Sequence, residues 1–142
     1  VHDCPCSVSR LSNRLKAAEY NVAHGLVDIE NTEPETFGKG GFKDPGELLE
    51  WLKNNRPTED IVLTHGDYCL PNILLDHWDF GCFIDLGAGG AGDRHVDLFW
   101  GVWSLQFNLK TDRFADRFLD VYGRDRVNTD LFRTIAAAEV FG

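Results

Sequence analysis

The sequence contains no methionine, few cysteines, little positive charge and no long apolar run. Without an uninterrupted stretch of about 20 apolar residues it carries no candidate bilayer-spanning helix. Without a charged-then-apolar amino terminus it shows no secretory signal, so the expectation is a cytoplasmic protein with no membrane partner. The four cysteines, Cys4, Cys6, Cys69 and Cys82, are too sparse for a disulfide framework and include no Cys-x-x-Cys spacing. Cys4-Pro5-Cys6 lacks the second half of a metal site, and Cys82, in an apolar run, reads as core. Lys and Arg number 14 against 23 Asp and Glu, a net charge of −9. That balance argues against a nucleic-acid partner, because phosphate backbones are held by clusters of Lys and Arg. An acidic surface would attract a polycation, although mutual repulsion that keeps a protein soluble explains the same charge. The densest acidic stretch is Glu30, Glu33 and Glu35.

What is present is concentrated between Thr64 and Gly87. An aspartate in a loop, Asp67, is followed five residues later by Asn72, then by a short apolar hairpin and a second aspartate, Asp85. One potential base and two hard oxygen ligands are the parts that Mg-ATP chemistry requires. The transition state of phosphoryl transfer is loose and highly charged, so the protein's task is to align the acceptor oxygen and neutralise phosphates through Mg²⁺. That cation keeps several waters and accepts a carboxylate plus an amide oxygen on the protein side. Asp85 and Asn72 suit that role, and Asp67 would take or orient the proton of an acceptor hydroxyl. His65 and Gly66 would shape the loop. Each residue also has a structural reading, since Asp and Asn commonly bond local backbone in turns; the ordered combination favours chemistry.

At these residues the chain resembles the aminoglycoside phosphotransferases, the 3'-phosphotransferases above all. The signature, His-x-Asp, four residues, Asn, then a strand ending in Ile-Asp-Leu-Gly, stands here as His65-Gly66-Asp67, Asn72 and Ile84-Asp85-Leu86-Gly87. Phe42-Lys43-Asp44-Pro45, the segment from Asp93 to Asp97 and Glu139-Val140-Phe141 are further family landmarks. The resemblance implies an α+β fold, the mainly helical carboxy-terminal lobe of a protein-kinase-like enzyme with a small β-hairpin at the catalytic loop. It implies Asp67 as base, Asn72 and Asp85 as Mg²⁺ ligands, and Leu74 and Ile84 lining the nucleotide pocket. Asp97 would brace the catalytic loop, and Glu139 would meet an ammonium group of the substrate. The reaction implied is transfer of the ATP γ-phosphoryl group to a hydroxyl, the 3' one, of an aminoglycoside, conferring antibiotic resistance. The oligomeric state is left open.

Departures from the pattern are equally specific. Ala88 follows Leu86-Gly87 where relatives carry Arg, and Leu70, Phe107 and Ala138 occupy positions of substrate-facing carboxylates. No Gly-rich phosphate loop or strand lysine, both needed over the ATP phosphates, is recognisable. The tract from Phe37 to Phe42 runs into Asp44-Pro45, a helix start, and so lacks the strand-loop-helix setting of such a loop. The expectation is that residues 1–142 are the carboxy-terminal lobe and that Val1 is not the natural start. Two alternatives compete: a metal-dependent hydrolase using His65, Asp67, Asp85, Asp93, His95 and Asp97, and a non-catalytic remnant that binds without turnover.

Periodicity places the elements. Val8, Leu11, Leu15, Ala18 and Val22 mark one face of a helix ending near His24-Gly25. Asp44-Pro45-Gly46-Glu47 supplies a cap, a first-turn proline and a capping acid for a helix through Leu48, Leu49 and Leu52. Ile61–Leu63 predicts a strand, as do Ile73–Leu75 and Cys82–Leu86 joined by a turn at residues 77–81. Helices are expected near Val96–Gln106, Asp112–Tyr122 and Asp130–Phe141, with Gly123 as a stop. Trp100, Trp103 and Phe107 read as a buried helical stripe.

Overall fold

A computed structural model of the chain describes residues 10–30, 32, 36–37 and 40–141. Cys4-Pro5-Cys6, Val8, Glu33, Glu35 and part of the 37–42 glycine tract lie outside the described residues. Within them the architecture is α+β: five α-helices and two separate two-stranded antiparallel sheets.

Helix α1 (Arg10–Ala23) turns Leu11, Leu15, Ala18 and Val22 inward, and Ala18 is almost wholly buried. Helix α2 (Pro45–Asn54) begins where its cap dictates: the Asp44 carboxylate accepts the Glu47 N–H at 2.9 Å, and Glu47 reaches back to the Lys43 N–H at 2.6 Å. Leu48, Leu49 and Leu52 from α2 meet Ala18 of α1 and Ala137, Ala138 and Phe141 from the carboxy-terminal end. These residues form the main core, which ties the two ends of the described chain together. Helix α5 (Leu131–Glu139) lies across α3 (Arg94–Leu109), and α4 (Ala115–Gly123) packs on α3 from another side. Gly123 ends α4 at φ +117, a conformation that side chains rarely adopt.

Strand β1 (Ile61–Thr64) pairs with β4 (Gly90–Asp93), and β2 (Ile73–Asp76) with β3 (Asp79–Phe83). The second hairpin differs from its sequence expectation. Its turn is only His77-Trp78, both with positive φ (49° and 74°), so β3 starts at Asp79 and ends at Phe83. Leu74 faces Cys82 and Leu75 faces Phe80, which leaves Gly81 as the extra residue of a bulge. A Cβ at Gly81 would stand 3.0 Å from the Leu74 carbonyl oxygen, so the bulge needs glycine. Asp85 therefore lies beyond the strand, in a left-handed turn (φ 58°, ψ 53°) that caps a short 3₁₀ turn, Leu86–Ala88. Cys82 is exposed rather than core, because the whole hairpin stands away from the helices.

Trp100, Trp103 and Phe107 also depart from expectation. The face of α3 that is buried carries His95, Leu98, Gly101 and Ser104. The two indoles are half-buried, and Phe107 is 55% exposed.

Candidate active site

The short loop from His65 to Asn72 is held from several directions. Strand β1 delivers it, and Asp97, in the first turn of α3, grips its start: one carboxylate oxygen accepts the His65 N–H and the other the Gly66 N–H, both at 2.7 Å. The fully buried Ser104, two turns along the same helix, accepts the Leu70 N–H at 2.8 Å, and Asn108 donates to Ser104 in turn. Gly101 lies between them, where a Cβ would come within 2.7 Å of the Phe118 ring. Ser104 escaped the sequence reading. The signal was a run of small and polar residues, Asp97, Gly101, Ser104 and Asn108, at helical spacing in an otherwise aromatic helix.

His65 is buried, and its ring is fully used. Nε2 lies 2.9 Å from the Ile84 carbonyl oxygen, which can only accept, and Nδ1 accepts the Asp67 N–H at 3.3 Å. The partners select the Nε2-protonated tautomer. His65 thus joins the loop to the strand end beside Asp85, and the Ile84 N–H closes the link by donating to the Asn72 carbonyl oxygen at 3.0 Å.

Asn72 and Asp67 touch directly. The Asn72 amide nitrogen donates to Asp67 Oδ2 at 2.8 Å and to the Asp67 carbonyl oxygen at 3.0 Å, which turns Oδ1 away from Asp67. Burial, with a hydrogen bond to the Asp67 carboxylate and its charge, pushes the Cys69 thiol up to about 12. It remains protonated, an unreactive neighbour of the carboxylate. Tyr68 packs on Phe83, Phe118 and the edge of His65, and its phenol is raised above its ordinary value by burial and then by Asp97.

Asp85 is exposed, one residue past Ile84. Leu74 and Ile84 are 45% and 41% exposed, and Leu75, Phe80 and Leu86 are exposed as well. Glu139 lies away from the loop, at the end of α5, where it is ion-paired with Arg14. It lines a cleft of about 1130 Å³ together with Asp28, Arg133, Trp100, Trp103 and Phe141.

His95 belongs to a different network. Its Nδ1 lies 2.6 Å from Asp93 Oδ1, its Nε2 accepts the Asn128 N–H at 3.0 Å, and Asp93 also accepts the Asp60 N–H at 2.7 Å. Burial alone would raise the Asp93 carboxyl, but hydrogen bonds from the His95 ring and from two backbone N–H groups hold it below its ordinary value. Both histidines spend both ring nitrogens within the protein. Among the described residues no three His, Cys, Asp or Glu side chains converge as metal ligands. Among them, too, no helix is long and apolar enough to cross a membrane.

Compared with known proteins, residues 6–132 match the family profile described as "Phosphotransferase enzyme family". A protein of Lactococcus lactis named "Probable aminoglycoside 3'-phosphotransferase" is 42% identical over 141 residues, covering 99% of this chain and 52% of the relative. The "Aminoglycoside 3'-phosphotransferase" of Niallia circulans is 36% identical, covering 94% of this chain and 49% of the relative. Among solved structures, an "aminoglycoside-3'-phosphotransferase of type VIII" superposes with a TM-score of 0.78 at 30% identity, over 96% of this chain and 53% of its own. Aminoglycoside phosphotransferase APH(3'')-Id of Streptomyces rimosus, solved with ADP and streptomycin, gives 0.73 at 26% identity, over 96% of this chain and 55% of its own. The chain spans about half the length of the curated relatives it matches.

Proposed function

Because the chain belongs to the phosphotransferase enzyme family, we propose that the whole protein transfers the γ-phosphoryl group of ATP to an aminoglycoside hydroxyl, the 3' one, and so confers antibiotic resistance in the cytoplasm. On this reading residues 1–142 are the carboxy-terminal lobe, and the phosphate loop and strand lysine belong to an amino-terminal nucleotide lobe. The observation that carries it is the loop. Asp67 is half-buried, oriented by Asn72 and set on a backbone that Asp97 and Ser104 fix from one helix. That rigidity suits a group whose work is to align and deprotonate an acceptor hydroxyl.

Asn72 Oδ1 and the Asp85 carboxylate would hold Mg²⁺. One amide and one carboxylate fit a cation that keeps waters and binds phosphate oxygens, and they do not make a self-sufficient protein cage. When bound, Mg²⁺ supplies charge neutralisation at the phosphates. Asp85 sits one peptide from the Ile84 N–H that bonds Asn72, so the two candidates share one end of the hairpin. The exposed Leu74 and Ile84 would take the apolar face of the adenine ring. Glu139 would hold a substrate ammonium, sharing or exchanging its Arg14 partner.

The test is steady-state kinetics of the full-length protein. Asp67→Ala is expected to lower turnover by about 10²–10⁴-fold with little change in ATP binding, and Asp85→Ala to abolish the Mg²⁺ dependence of nucleotide binding. Full activity in Asp67→Ala would overturn the assignment.

A further inference from the structure

Helix α3 serves two neighbouring places. One face holds the loop through Asp97 and Ser104. The next, about 100° around the helix, carries Trp100 and Trp103, whose indoles line the cleft of about 1130 Å³. The rings lie 5.5 Å apart at 84°, so they form a corner rather than a flat wall. Phe107 stacks on Trp103 at 4.8 Å and 8°, and the Lys110 ammonium lies 4.2 Å over Phe107. That ladder covers one face of the Trp103 indole and fixes its tilt, and both Trp residues still line the cleft.

The cleft exceeds the roughly 300–1,000 Å³ of a drug-sized pocket, enough for a saccharide of several rings. Among the described residues its charged lining is modest. Asp28, Glu139 and Arg133 contribute, Glu139 is already paired with Arg14, and the Arg133 guanidinium sits 5.2 Å over Trp51. Aromatic faces can add to what carboxylates supply, since indole is the strongest π partner for an ammonium group and offers a wide apolar surface to the CH face of a sugar.

We propose that the Trp100–Trp103 corner is a specificity subsite for the acceptor, packing one amino-sugar ring by its apolar face with its ammonium over Trp103. This rests on the aminoglycoside reading of the function. An acceptor held in this way keeps part of its affinity when salt screens the exposed carboxylates.

The experiment is calorimetric titration of the full-length protein with kanamycin at low and high salt, alongside KM and kcat. Trp103→Ala should weaken binding and raise KM about tenfold, the equivalent of a contact worth about 1.4 kcal/mol. Turnover at saturation should hold, the loss should persist at high salt, and Trp103→Phe should retain most of the affinity. Trp100→Ala removes the other wall and gives an independent reading should Trp103→Ala fold poorly. If the protein phosphorylates kanamycin and both alanine variants keep the wild-type KM, the subsite is overturned while the phosphotransferase reading stands. If the protein neither binds nor phosphorylates any aminoglycoside, that reading fails and the subsite fails with it.

Discussion

Replacing Asp97 with alanine deprives two backbone N–H groups, those of His65 and Gly66, of acceptors 2.7 Å away. His65 and Gly66 are buried, so the orphaned donors are poorly placed to find water. A hydrogen bond to a charged group contributes about 1.5–3 kcal/mol, and the pair together therefore about 3–6 kcal/mol. Against a total of about 5–15 kcal/mol for an ordinary domain, that is a large share to concentrate in one side chain. At this chain length a loss of 1 kcal/mol lowers Tm by about 3–4 °C, so thermal unfolding followed by circular dichroism should shift down by about 10–20 °C. Asparagine keeps one acceptor oxygen but turns its NH₂ toward an N–H, so Asp97→Asn should fall between wild type and alanine. Amide exchange at His65 and Gly66 should quicken in both variants. A Tm for Asp97→Ala within about 2 °C of wild type would refute the idea that this carboxylate holds the loop.

Ser104→Ala leaves the Leu70 N–H without its acceptor at a fully buried site and should cost about 1–3 kcal/mol in urea unfolding; an unchanged midpoint would show the tether to be idle. The Asp93 carboxyl is held below its ordinary value, so its contribution is complete above the usual carboxylate pKa of about 4 and is lost as pH falls through the lowered folded value. Melting curves from pH 6 down to pH 3 should therefore show the gap between wild type and Asp93→Asn narrowing, and a constant gap would contradict this. The Cys69 thiol, pushed up to about 12, should resist iodoacetamide at pH 8 while the exposed Cys82 is alkylated. Peptide mapping by mass spectrometry would read this, and equal rates would count against it.

Much of the helical framework was legible because its signals are local. Asp44-Pro45-Gly46-Glu47 spells out a capped start, and Leu11, Leu15, Ala18 and Val22 spell out a face. The hairpin's existence was legible but its turn was not. His77-Trp78 carries none of the Asn-Gly chemistry that marks a left-handed two-residue turn, so the sequence alone points to a longer turn and to a strand that includes Asp85. Strand β4 is Gly90-Ala91-Gly92-Asp93, with nothing in it of β-branched preference; its pairing to β1 is decided by tertiary context. The Trp100, Trp103 and Phe107 spacing identifies one side of a helix without saying whether core or cleft lies opposite. The pairing of Glu139 with Arg14 spans nearly the whole chain and leaves no local trace. The candidate site was legible as an ordered set, Asp67, Asn72 and Asp85, while the contacts that set its geometry, through Ser104 and the carbonyl of Ile84, come from elsewhere in the fold.

Incubation of the full-length protein with Mg-ATP and kanamycin, with the product weighed by mass spectrometry and the modified hydroxyl located by NMR, bears on the proposed chemistry without intermediate inference. The expected product is kanamycin bearing one phosphoryl group at the 3' oxygen, formed by wild type and not by Asp67→Ala. Unmodified kanamycin from a folded, ATP-binding wild-type protein, or equal product from Asp67→Ala, would contradict it.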